Sequence, residues 1–233
     1  MCVRSRRKRL GQHFLRDVSI AEYIAGLVPG GLDVIEVGPG RGILTIPLAQ
    51  KSRVVYAIEV DPALADALRR TAPPNVVVIE GDALELEWPK ADFFVSNVPY
   101  SITSPLLLRL AESELPAVVT VQREVAERLA ARPGDENYGR LTVAIQCRYQ
   151  VEVLRVVPPR AFEPPPRVYS AVVRLTPRSP CVDDFEGFQR FTAWLFSARR
   201  KTLRRLKLAD SERRVYQLSP EEIAQLYSSR KAF

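Results

Sequence analysis

DFFVSNVPY, residues 92–100, is the stretch on which the reading of the fold turns. Its apolar run, Phe93 to Val95, is short and stops at the turn-forming group Asn97-Val98-Pro99-Tyr100, so it reads as a buried strand. Ligands in open α/β sheets bind just beyond the carboxyl ends of such strands, which puts the tetrapeptide at the lip of a pocket. Asn97 offers a carbonyl acceptor, Pro99 lacks an N–H and stiffens the turn, and Tyr100 adds a flat π-face with a polar tip. Together they suit a flat ring bearing an exocyclic amine, held at its edge by acceptors and stacked on one face.

Working outward, three earlier strand ends carry chemistry of their own. EVGPGRG, residues 36–42, is a strand running into a glycine turn, where Gly38 and Gly40 let a ligand approach the backbone closely. Glu59 closes the next strand, 21 positions after Gly38, where a carboxylate can accept both hydroxyls of a ribose. The third strand ends in Gly81-Asp82, and Asp82 is placed to accept from the amine of an adenine. An acidic Glu36 just before the glycines suits a cationic amino-acid moiety better than a pyrophosphate. A sulfonium cofactor, S-adenosylmethionine, and an amine-bearing ring as methyl acceptor satisfy all four strand ends.

A strand running into the glycine turn over 33–42 and strands expected at 53–61, 76–82, 92–97 and 117–122 alternate with helices expected at 18–27, 43–50, 62–70, 104–111 and 123–131. That rhythm predicts a doubly wound, mostly parallel α/β sheet. Residues 141–150 are ambiguous, while 150–157 and 168–175 alternate as strands and predict a hairpin at one sheet edge. Between them AFEPPPRV is stiffened by Pro164, Pro165 and Pro166 and is expected to present Phe162. From about residue 180 the strands stop, and helices are expected at 183–197, 198–206 and 219–227, the last opened by a capping box at Ser219 and Glu222. The expected division is therefore 1–176, a cofactor-binding catalytic domain with a basic N-terminal segment, and 177–233, a small all-helical domain that binds RNA.

Charge supports a polyanionic partner. The formal net charge is +7, with +5 in residues 1–9, +6 in 185–233 and −4 between them. A mildly acidic body with basic ends suits a nucleic acid gripped from the periphery. Arg6, Arg7 and Lys8 at the start, and Arg199, Arg200, Lys201, Arg204 and Arg205 in RRKTLRRLK, are the expected RNA contacts, the latter on a helix basic on most faces. Arg123, Arg128 and Arg140 fit either RNA phosphates or ion pairs with Glu124, Glu127 and Glu136. Three widely spaced cysteines and a single histidine support neither a disulfide framework nor a metal site, and the thiols are expected to be reduced. No stretch approaches the roughly 20 apolar residues of a membrane span, and the basic start lacks a signal-peptide core. A cytoplasmic protein, free of membrane and metal and acting as a monomer, is the expectation.

In order and spacing, GQHFL, EVGPGRG, AIEVD, GDALEL, SNVPYSITSPLL, VQREVAERL, YGRLTVAIQ and AFEPPPRVYSAVVRL resemble the KsgA family of ribosomal RNA adenine dimethyltransferases over residues 4–176. The resemblance implies a Rossmann-like class I methyltransferase sheet and two methyl transfers from S-adenosylmethionine to the 6-amino group of each of two neighbouring adenosines near the end of small-subunit rRNA, within a pre-ribosomal particle during ribosome biogenesis. It implies that His13 and Leu15 line the cofactor pocket, Gly38 meets the methionine portion, Glu59 the ribose, Asp82 the cofactor adenine, and Asn97 both cofactor and target. His13 stands where the family often has Asn, and Val98 where Leu is usual. Asn97 and the backbone carbonyl of Val98 or Pro99 would then hold the two N–H bonds of the target amine, with Tyr100 stacked on the base and Phe162 on its opposite face. Alternatives are a resistance-type methyltransferase of large-subunit rRNA, an assembly factor whose methylation is secondary and, less well matched, a DNA adenine methyltransferase.

Overall fold

The computed structural model describes residues 13–230. Strands β1 (Phe14–Leu15), β2 (Asp33–Val37), β3 (Val54–Glu59), β4 (Val76–Glu80), β5 (Phe93–Asn97) and β6 (Ala117–Gln122) precede β7 (Tyr149–Val157), β8 (Phe162–Glu163) and β9 (Ser170–Pro177). Helices α1 (Val18–Gly26), α2 (Thr45–Ala49), α3 (Pro62–Thr71), α4 (Thr103–Ser113), α5 (Arg123–Leu129) and α6 (Arg140–Gln146) are followed by α7 (Phe185–Ser197) and α8 (Pro220–Ser228). The main sheet runs in the order β4-β3-β2-β5-β6-β9-β7; its first five strands are parallel, β9 is antiparallel to both neighbours, and β7 with β9 forms the expected edge hairpin.

Successive residues of the central strands feed opposite faces. Val34, Phe93, Val95, Val118 and Val172 join α1 and α2 in one apolar cluster, and Ile35, Phe94, Val119 and Val173 join α4, α5 and α6 in the other. Burial on both sides explains why these strands read as continuous apolar runs. Helix ends follow the local chemistry. The Asp17 carboxylate accepts from Ser19 N and Ile20 N at the start of α1, Pro62 occupies the first turn of α3, and Ser219 and Glu222 complete the capping box of α8. Pro47 lies in the first turn of α2, where its missing N–H costs nothing.

The ambiguous stretch 141–150 divides into α6, all but its first residue, and the start of β7. Phe185, Phe188, Phe191 and Leu195 of α7 and Ile223 and Ala224 of α8 pack into the cluster that covers the α4–α6 face. The helix expected at 198–206 does not form. Thr202 instead bridges Arg214, while Leu203 N donates to Arg213 O and Arg204 N to Ser211 O, both at 3.0 Å. In a helix these like charges would crowd at three- and four-residue spacing. The turned chain lets Arg204 meet Asp210 and Glu212 instead. Among the described residues no helix is long and apolar enough to cross a membrane, and no group of three His, Cys, Asp or Glu converges as for a metal.

Candidate active site

Sheet order reverses between β2 and β5, since β3 and β4 follow on one side of β2 and β6 on the other side of β5. A crevice opens at the carboxyl ends of the strands at such a switch point. A pocket lies here, lined by Gly38, Gly40, Glu59, Asp82, Asn97 and Pro99 together with His13. The glycine turn, the two strand-end carboxylates and the start of the NVPY turn thus converge as their sequence positions imply.

Glycine is required in the turn by backbone and space together. Gly38 and Gly40 have φ of +72° and +56°, and a Cβ on Gly40 would lie 2.8 Å from the Phe14 ring. Glu59 is 3% exposed, and its two oxygens accept from Gly40 N and Asp61 N, each at 3.0 Å. Burial raises its pKa, opposed by these backbone donors. Each oxygen retains a lone pair for a ligand hydroxyl. Asp82 accepts from Leu84 N at 2.8 Å through Oδ1, which fixes the carboxylate at the pocket wall.

Asn97 is oriented by the N-terminal segment: its Nδ2 donates to His13 O at 3.2 Å. With the amine end engaged, Oδ1 remains as the acceptor. Of the two backbone carbonyls expected to share this task, Pro99 O accepts from Ile102 N at 3.0 Å, whereas Val98 O has no backbone donor among the described residues. The Tyr100 hydroxyl is 2.6 Å from Ser170 Oγ, and its ring lies 5.3 Å from that of His13 at 38°. Burial raises the Tyr100 pKa and keeps the phenol neutral. The His13 ring is pinned in turn, because Nδ1–H donates to Pro164 O at 2.7 Å.

Three expected residues are absent from the pocket wall: Tyr100, which packs beside it against His13 and Ser170, and Leu15 and Phe162, which lie in the core. Leu15 is 5% exposed and points into the apolar cluster under β2, so its neighbour Phe14 lines the pocket instead. Phe162 is 1% exposed in the same cluster and does not line the pocket, so it is not the ring expected opposite Tyr100. Its strand pairs antiparallel with β1, Leu15 opposite Phe162 and Phe14 opposite Glu163, and Arg16 N donates to Ala161 O at 2.8 Å. An Arg41–Glu163 ion pair at 3.0 Å fastens the glycine turn to this ribbon. The proline-stiffened loop therefore clamps the N-terminal segment over the pocket. Glu36 also differs from its expected role. It is 1% exposed, absent from the pocket wall, and burial pushes its pKa up to about 8, so the carboxyl is largely neutral at pH 7.

Ile58, Val60, Ala83 and Ile102 also line the wall and are not apparent from sequence. The only signal for Ile58, Val60 and Ala83 is their adjacency to Glu59 and Asp82 at strand ends. Of the arginines left open, Arg123 pairs with Glu127 at 2.7 Å and Arg128 with Glu124 at 2.8 Å, while Arg140 has no ion-pair partner among the described residues. Arg199 donates to Glu136 O at 3.0 Å and covers the Tyr216 ring. Arg200, Lys201 and Arg205 are exposed, whereas the Arg204 charge is met by acids nearby. Arg6, Arg7 and Lys8 lie outside the described residues.

Comparison with known proteins agrees with this geometry. Residues 3–226 match the model of the family described as ribosomal RNA adenine dimethylase. The chain is 73% identical over 227 residues to the probable ribosomal RNA small subunit methyltransferase A of Pyrobaculum aerophilum, covering 97% of this chain and 100% of that one. A dimethyladenosine transferase from Plasmodium falciparum superposes with a TM-score of 0.82 at 27% identity, covering 92% of this chain and 96% of that one. The 23S rRNA methyltransferase ErmE superposes at 0.70 with 30% identity, covering 92% and 98%. With a class I methyltransferase fold, a pocket at its switch point and a family match along nearly its whole length, the chain belongs to the ribosomal RNA adenine dimethylase family.

Proposed function

We propose that the protein transfers methyl groups from S-adenosylmethionine to the 6-amino groups of two adjacent adenosines near the end of small-subunit rRNA, in a pre-ribosomal particle in the cytoplasm. The observation that carries this reading is the convergence on one pocket of Glu59, Asp82 and Asn97, the last oriented through His13 O so that its Oδ1 is left as an acceptor, with Val98 O beside it in the chain lacking a backbone donor among the described residues. The pocket residues fit the cofactor. Glu59 offers acceptors for ribose hydroxyls, Asp82 an acceptor for the adenine amine, and Val60 and Ala83 apolar contact with the ring. Gly38 and Gly40 keep side chains away from the methionine portion, with His13 closing the pocket from above. When bound, the cofactor supplies an activated methyl group on a sulfonium.

The amine of adenine is a poor nucleophile because its lone pair is delocalised into the ring. Holding both N–H bonds in acceptors turns that lone pair out of conjugation and stabilises positive charge as it develops on nitrogen. Once methylated, the nitrogen is acidic and passes its proton to Val98 O or water, without a strong base. The second transfer leaves one N–H to hold, so one acceptor position must admit a methyl group. Tyr100, fixed through Ser170, stacks on the base; Phe162 shapes the site indirectly through β1.

RNA is proposed to be held by the N-terminal tip, by Arg200, Lys201 and Arg205, and by a cleft where Arg128, Arg140 and Arg199 meet near Ser104. Residues 1–176 are assigned the chemistry and 177–233 RNA positioning, in a monomer. The test is incubation of unmodified small and large ribosomal subunits with methyl-labelled cofactor, followed by nucleoside mass spectrometry. Dimethyladenosine at two adjacent positions of small-subunit rRNA is expected. Label in large subunits alone, or in duplex DNA alone, would overturn the proposal.

A further inference from the structure

The sequence spacing suggests unrelated thiols, but two of the three cysteines meet. Cys147 caps the C-terminus of α6 and is fully buried; Cys181 lies between β9 and α7 and is partly exposed. Arg178 N donates to Arg148 O at 2.9 Å and Cys181 N to Cys147 O at 3.0 Å, so the two segments run side by side at the cysteines themselves. A backbone hydrogen bond between the two residues keeps their α-carbons near one another, as a disulfide, which spans roughly 4.4–6.8 Å between α-carbons, requires. The two thiols are close enough to shift each other's titration, Cys147 upward and Cys181 downward.

We propose that Cys147 and Cys181 are a built oxidation site that closes to a disulfide with a low-molecular-weight disulfide as oxidant, covalently tying the C-terminal segment to the sheet domain. The roles of the two sulfurs differ. Cys181 is the accessible one, and its pKa is lowered by the Cys147 hydrogen bond, with help from Arg178 and Arg148 against burial and Glu221. The Cys147 pKa is raised by the same hydrogen bond and by burial. The Cys181 thiolate attacks the oxidant, forming a mixed disulfide and releasing one small thiol. Cys147 gives up its proton to solvent and attacks the Cys181 sulfur, and the second small thiol leaves. The protein loses two hydrogens and two electrons, and the oxidant is reduced to two thiols. The bond would close the loop from 147 to 181, which contains the edge hairpin, and fix the point from which α7 departs.

The experiment exposes the full-length protein to hydroxyethyl disulfide, removes the reagent, alkylates in denaturant and maps the peptides by mass spectrometry. One alkylatable cysteine, Cys2, of the three in the chain is expected, with a cross-linked peptide pair containing Cys147 and Cys181. Tm should rise by roughly 5–15 °C on oxidation and fall back with reductant. Cys181→Ser should show no such reductant-dependent shift. Three alkylatable thiols, a linkage through Cys2, or a mixed disulfide that persists on Cys181 would overturn the proposal. So would equal Tm values for the oxidised and reduced wild-type protein.

Discussion

The role proposed for Asn97 does not reside in its side chain alone. Its amide has a defined direction only because the His13 carbonyl engages Nδ2, and His13 is positioned only because Pro164 O accepts from its ring. Glu59 holds the glycine turn and is proposed to hold the ligand as well, so Glu59→Ala removes the proposed ligand acceptors and frees Gly40 N. It should weaken cofactor binding by about 10–100-fold, the effect of losing one or two charge-assisted hydrogen bonds, while leaving RNA binding unchanged. Isothermal titration with cofactor and filter binding with rRNA separate the two. Tyr100→Ala should do the reverse, lowering turnover at least tenfold more than cofactor affinity. Equal losses of cofactor affinity in both variants would contradict these roles.

Glu36 provides a residue-scale test in pH. Its folded pKa of about 8 lies above the ordinary glutamate value of 4.5, so the folded protein holds a proton that the unfolded chain releases between those limits. The stability it contributes is fully present below about pH 4.5 and is lost as pH rises through 8. Between these values the slope should approach about 1.4 kcal/mol per pH unit. Glu36→Gln should therefore flatten the fall of denaturation midpoint between pH 5 and 8. An unchanged slope in the variant would show the carboxyl to be ionised throughout.

Among the elements, β1 and β8 are the ones hidden from sequence. Each is two residues long, and their pairing joins Leu15 to Phe162 from opposite ends of the sheet domain, a contact no local pattern reveals. The strands around the pocket are legible because their apolar runs end in glycine, carboxylate or NVPY, where local sequence and tertiary position coincide. Phe162 misleads because three prolines promise a stiff exposed loop, whereas the loop's stiffness serves to press the ring inward. The 198–206 segment misleads in the opposite direction: its leucines sit at helical spacing, but backbone pairing with 211–215 takes precedence. Phe162→Ala should accordingly lower unfolding free energy by about 3–5 kcal/mol, as for a buried aromatic, measured by urea denaturation. A variant of wild-type stability with reduced turnover would restore the stacking role.

At the scale of the molecule, an acidic body carries basic ends, and the proposed RNA grip depends on both. Deleting residues 1–9 removes five cationic side chains and should weaken binding to small subunits most at low salt. The slope of log affinity against log salt should fall by about one for each phosphate that the shortened chain no longer neutralises. Replacing Arg200, Lys201 and Arg205 with Ala should act in the same direction without changing cofactor affinity. An unaltered salt slope in both variants would move the RNA surface elsewhere.

A crystal structure of the protein with S-adenosylhomocysteine and an adenosine-containing rRNA hairpin tests the shared crevice most directly. The Glu59 carboxylate is expected within hydrogen-bonding distance of the ribose hydroxyls, with the target amine between Asn97 Oδ1 and Val98 O. A cofactor bound away from Glu59, or a base held without contact to Asn97, would contradict it.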